Sequence, residues 1–277
     1  MKNILVPTDF SENSKSAFNY ALELAERFEA KVTVIHVYHP SLNTANSMMV
    51  YIDEELEKIN SQQLDQFVAS ACSDRRGEVI VANQIDKKII LGYAVDKIVE
   101  LSESEDYDLI VMGATGKTGF LEKTFGKVSS AVAKQSKCPV LLIPANTKFE
   151  PIKKIMYASE YESADESILL KIDNFSKKMN SEVHLVHVYG EEEQGENGPG
   201  YFLLEKVFQL KAPTLEFEMG AITSDTVANG LEKYAEINDM DWMVIVKPHR
   251  KFWERILHRS RTNEIIMNPQ IPLMIMH

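Results

Sequence analysis

Short apolar runs alternate with amphipathic stretches along this chain of 277 residues. In the first half, strands are expected at about 4–7, 31–38, 78–84, 108–113 and 139–144. Between them, apolar positions spaced three and four apart predict helices over 12–28, 50–71, 94–104 and 127–136. Several of the strands are apolar along most of their length, as in sheets whose two faces are both covered by helices. Five strands joined by helical crossovers imply a parallel, doubly wound sheet. Ligands of such sheets lie beyond the carboxyl ends of the strands, where the strand order reverses.

The pattern then repeats. Residues 2–38 align without a gap on 153–189, at an offset of 151. Ala17, Ala21, Leu24 and Phe28 fall on Ile168, Ile172, Phe175 and Met179, and each set lies on one helix face. Later segments repeat at an offset of 133: DLIVM (108–112) on DWMVI (241–245), and PVLLIP (139–144) on PLMIMH (272–277). The second copy is therefore 18 residues shorter in its middle, the difference between the two offsets. So long a period means duplicated domains rather than a solenoid. They are expected at 1–145 and 151–277, with the boundary in ANTKFEP, 145–151.

Charge and composition narrow the function classes. A net charge of −11 argues against a broad nucleic-acid surface. The start MKNILVPTDF turns polar too soon for a signal peptide, and no apolar run reaches the length of a membrane span. The expectation is a cytoplasmic protein, away from membranes, with Cys72 and Cys138 as reduced thiols that pack as small apolar groups. No nucleophile motif is present, and ELSESEDYD (100–108) reads as a solvated helix end rather than an acid–base pair. His36 and His187 occupy matched strands, which points to packing or a shared hydrogen bond. His249 and His258 have no cysteine companion, so no metal site is expected.

The stretch GATGKTGFLEKTFGKVSS (113–130) contains Gly116-Lys117-Thr118, the ending of many phosphate loops. A P-loop needs a glycine five residues earlier, where this chain has Val111 inside a strand, and it starts its helix at the lysine. Here Gly119 follows at once. A different spacing has a physical use. Gly113 ends a strand, Gly116 follows three residues on, and Gly126 opens a helix whose free N–H groups favour an anion. Residues 117–125 would then form a flap over phosphates. On their own, these glycines could equally be turn formers.

They are accompanied by Asp9 in VPTDF, after the first strand, and by Val37 in HVY, at the end of the second. Gly-x2-Gly-x9-Gly, the early aspartate and the tandem repeat together resemble the universal stress protein family, along essentially the whole chain. The resemblance implies an α/β fold of two tandem Rossmann-like domains, each a five-stranded parallel sheet. It also implies an adenine-nucleotide ligand, ATP or AMP, with Mg able to accompany ATP. Pro7, Thr8 and Asp9 would border the adenosine, with Asp9 a ribose or metal-side contact, and Val37 would pack on adenine. Met112, Gly113 and Gly116 would line the ribose and phosphate turn. Gly126, Lys127, Val128 and Ser129 would present donors to phosphate. The family usually carries Ser or Thr where this chain has Lys127, which exchanges a hydroxyl for a cation.

The second copy departs from the motif. Gly113, Gly116 and Gly126 become Val246, His249 and Arg259, and Asp9 becomes Glu160. One nucleotide per chain is expected. The second domain would then be a built-in partner that packs on the first as a pseudo-dimer, and a further homo-oligomer is open. The expected role is in stress response rather than catalysis. A nucleotide-independent interaction protein and a slow ATPase are the alternatives. The segment 247–261 has six Lys or Arg against one Glu. It reads as a solvated amphipathic helix, as an anion grip built on arginines, or as a dock for an acidic partner.

Overall fold

The computed structural model describes residues 1–39, 49–74, 85–104, 107–114, 127–158, 166–190, 209, 211–246 and 270–277. The chain forms two compact units, Met1–Phe149 and Glu150–His277. In the first unit, β1 (Asn3–Pro7), α1 (Glu12–Phe28), β2 (Lys31–Tyr38), α2 (Met49–Asp74), β3 (Ile85–Leu91), α3 (Ala94–Ser104), β4 (Leu109–Gly113), α4 (Lys127–Gln135) and β5 (Val140–Ile143) follow in turn. The strands lie in the order β3-β2-β1-β4-β5, and all pair in parallel. Helices α1 and α2 pack together, as do α3 and α4. Right-handed crossovers put the two pairs on opposite faces, because the path turns back between β3 and β4. Ile4, Leu5, Val6, Ile110, Val111, Leu141 and Leu142 are therefore sealed from both sides, each at 0% exposure.

Local chemistry sets the helix ends. Ser11 caps α1, its hydroxyl accepting from Ser14 N at 3.2 Å. Glu29 ends α1 in the left-handed conformation at φ 55°, and Asn180 repeats that turn at φ 55°. Of the expected core face of α1, Ala17, Ala21 and Leu24 are buried and Phe28 is half-buried.

The third strand lies later than expected. It is Ile85–Leu91, while the expected 78–84 falls outside the described residues. Strand β3 is the sheet edge, and it carries Asp86, Lys87 and Lys88 in succession. Charges of that kind protect an edge from further pairing, and they weaken the apolar signal that a sequence reading follows.

The second unit contains β6 (Lys154–Ala158), α5 (Glu166–Met179), β7 (Glu182–Tyr189), β8 (Glu218–Thr223), α6 (Val227–Ile237), β9 (Trp242–Val246) and β10 (Leu273–Met276). Its parallel order, β8-β7-β6-β9-β10, repeats that of the first unit. Trp242 is fully buried on β9 and stacks on Phe175 of α5 at 4.8 Å. One device is used twice. Lys2 N and Asn3 N donate to Asp108 Oδ2, while Lys153 N and Lys154 N donate to Asp241 Oδ2 at 2.7 and 2.8 Å. In each unit the aspartate ahead of the fourth strand clamps the head of the first.

Candidate functional site

The order β3-β2-β1-β4-β5 places the reversal point between β1 and β4, with β2 on the far side of β1. Because β1, β2 and β4 run parallel, their carboxyl ends share one edge. Pro7 ends β1 there, Met112 and Gly113 end β4, and Val37 lies one residue from the end of β2. Val37 is half-buried and pairs with Ile90 of β3, a half-buried aliphatic neighbour. Together they give that end of the edge an apolar floor.

The turn after β1 is tightly tied. Thr8 is buried; its N–H donates to Ile35 O at 2.8 Å, and its hydroxyl lies 2.8 Å from that of Ser14 and accepts from Phe10 N at 3.0 Å. Phe10 takes φ 61° and lays its ring on His36, with centroids 4.2 Å apart. His36 Nδ1 lies 2.8 Å from Thr8 O. Asp9 Oδ1 accepts from the backbone and hydroxyl of Ser11, at 3.1 and 2.5 Å. Asp9 is thus half-buried and held at a fixed place on the edge.

Helix α4 begins at Lys127, which is exposed. Val128 is half-buried and Ser129 is buried, with its hydroxyl donating to Gly113 O at 2.9 Å. That bond seats the first turn of α4 against the end of β4, and it uses the hydroxyl hydrogen that the sequence reading assigned to phosphate. The Gly113 contact also differs from expectation. A Cβ there would lie 3.0 Å from Asn13 O and 3.1 Å from Asn13 C, so the missing side chain makes room for the first turn of α1. Gly116, Gly126, the 117–125 flap and the 247–261 segment lie outside the described residues. So do Glu160, His249, His258 and Arg259. At the end of β9, Val246 stands where β4 has Gly113.

The packing and hydrogen bond expected of His36 are made with Phe10 and Thr8 O, whereas the Thr8–Ser14 support was missed. Only the short spacing of Thr8, Ser11 and Ser14 signalled that support. The sequence reading also missed Glu182, His184 and Glu218 of the second unit, whose donor atoms lie within 4.8 Å of one another. The alternation Glu182-x-His184 on one strand face was a readable sign; Glu218 joins them only through strand register. No helix among the described residues is long and apolar enough to cross a membrane.

The model of the universal stress protein family matches residues 1–144. A universal stress protein of Synechocystis sp. is 22% identical over 293 aligned positions, covering 99% of this chain and 99% of the relative. One of Methanocaldococcus jannaschii is 33% identical over 145 positions, covering 51% of this chain and 81% of the relative. The crystal structure of a universal stress protein from Archaeoglobus fulgidus shares the fold, with a TM-score of 0.71 at 22% identity, over 99% of this chain and 97% of that one.

Proposed function

We propose, from the premise that this chain belongs to the universal stress protein family, that its first unit binds one adenine nucleotide, ATP or AMP, as the ligand of a cytoplasmic stress-response protein. The observation that carries this reading is the gathering of Asp9, Val37, Met112–Gly113 and the start of α4 at the reversal point of one parallel sheet. That edge offers what a nucleotide needs. Val37 and Ile90 supply an apolar surface for a base, and the Asp9 carboxylate can accept from ribose hydroxyls. The N-terminus of α4 supplies N–H groups and dipole for phosphate, with the Lys127 ammonium on its first residue.

Binding rather than turnover is proposed because, among the described residues of the site, Asp9 is the one evident general base, and its Oδ1 already accepts two bonds from Ser11. Mg would enter only with ATP, through the phosphates. The second unit replaces Gly113 by Val246 and serves, on this reading, as a partner for the first rather than as a second nucleotide site. The test is mass spectrometry of small molecules released from the purified protein. Adenine nucleotide near one per chain, lost in Asp9→Ala, is expected. A chain that carries none, and takes up none when ATP is supplied, refutes the reading.

A further inference from the structure

We propose that Glu182, His184 and Glu218 of the second unit form a binding site for a divalent cation of the zinc class. Glu182 and His184 stand two apart on β7 and so share a face, and Glu218 of β8 pairs directly with His184. His184 is buried at 4% exposure, whereas the side chains of Glu182 and Glu218 are 43% and 67% exposed. An imidazole fixed at the base of two solvent-facing carboxylates is open to a cation from solution.

The spacing suits a small tetrahedral ion. His184 Nε2 lies 2.8 Å from Glu182 Oε1 and 3.9 Å from Glu218 Oε2. Ligands at about 2.0–2.2 Å from zinc stand roughly 3.4 Å apart in a tetrahedron, between those two separations. The exposed carboxylates need only small rotations to reach it. One nitrogen with carboxylate oxygens selects zinc-class ions over Mg²⁺ and Ca²⁺, which favour oxygen alone. Three protein ligands leave a fourth position for water or an outside ligand.

The imidazole is also supported from behind. Its Nδ1 lies 2.9 Å from the Tyr234 hydroxyl of α6. A hydroxyl both donates and accepts. With the cation absent, it donates to Nδ1 while Nε2–H donates to Glu182; with the cation on Nε2, it accepts from Nδ1–H. Metal-bound histidines regularly hold their second nitrogen in this way. Tyr234 reaches the ring because residue 220 is glycine: a Cβ there would sit 2.6 Å from Tyr234 Cζ.

The first unit shows that the fold does not require this group. Where β7 and β8 have Glu182, His184, Glu218 and Gly220, the same register positions of β2 and β3 hold Lys31, Thr33, Asp86 and Lys88, and the offset of 133 puts Leu101 of α3 where Tyr234 stands. Two ligands, the ring's support and the gap that admits that support all differ in kind between the copies. The first unit keeps a carboxylate, Asp86, opposite Thr33, so the additions specific to the second unit are Glu182, His184, Tyr234 and the glycine that admits Tyr234.

The test uses the metal-stripped full chain, titrated calorimetrically with ZnCl₂ and melted with and without it. Cys72 and Cys138 are thiols outside any disulfide that could take up zinc elsewhere, so the deciding variants are Glu218→Gln and Glu182→Gln. Both are exposed and keep their shape, and unchanged melting without metal verifies their fold. One equivalent of zinc and a zinc-dependent rise in Tm are expected, with at least a tenfold loss of affinity in each variant. No saturable uptake by the unsubstituted chain, or a loss below tenfold in either variant, overturns the proposal.

Discussion

Replacing Asp241 with alanine removes the carboxylate that ties the heads of β6 and β9. Its Oδ2 accepts from Lys153 N at 2.7 Å and from Lys154 N at 2.8 Å. A hydrogen bond to an ionised group contributes about 1.5–3 kcal/mol, less where water can replace it. Lys153 is exposed and its amide regains water, whereas Lys154 and Asp241 are half-buried. Taking the first bond as small and the second near the lower figure gives a cost of about 2 kcal/mol. The matching Asp108→Ala acts at an exposed carboxylate, so about 1 kcal/mol is expected there. The chain has two tryptophans, and Trp242 is fully buried on β9. In a Trp253→Phe background its fluorescence therefore reports unfolding of the second unit. With a urea slope of roughly 2 kcal/mol/M, Asp241→Ala should lower the midpoint by about 1 M. An unchanged midpoint would show that the clamp adds no net stability and that strand packing alone aligns β6 with β9.

Gly113→Ala places a Cβ against Asn13 backbone; a cost of about 1–3 kcal/mol is expected, with weakened nucleotide binding as α1 shifts, read by urea unfolding and ligand titration. Lys127→Ser should narrow a preference for ATP over AMP by about fivefold, for an interaction of about 1 kcal/mol near solvent, and an unchanged affinity ratio would place the ammonium away from phosphate. The Asp225 carboxyl is held below its ordinary 3.8, first by the Asn229 side-chain amide and then by the Ser224 hydroxyl. Its contribution to stability is therefore present above 3.8 and lost as pH falls through the lowered folded value. NMR titration should find its midpoint below 3.8 and Asn229→Ala should raise it; a midpoint unmoved by that substitution would remove the amide as the cause.

The sequence made much of the fold legible because burial wrote it twice. The offset of 151 carries β1, α1 and β2 onto β6, α5 and β7, and the offset of 133 carries α3, β4 and β5 onto α6, β9 and β10. Strand β3 was hidden because an edge strand spends its residues on charge: Asp86, Lys87 and Lys88 look like loop beside the more apolar 78–84. The early aspartate, the valine of β2 and the glycine of β4 were readable as a group that shares one sheet edge. Their individual contacts were not. Gly113 accommodates Asn13, and Ser129 bonds to Gly113 O, through approaches between elements that residue spacing does not encode. Glu218 faces His184 for the same kind of reason, since only the register of β7 against β8 brings them together.

Calorimetric titration of the full chain with ATP decides whether the first unit alone holds an adenine nucleotide. A single site per chain is expected, abolished by Gly126→Val, which puts a branched side chain immediately before the free N–H groups that open α4. Two equivalent sites, or no heat of binding from either ATP or AMP, would contradict that expectation.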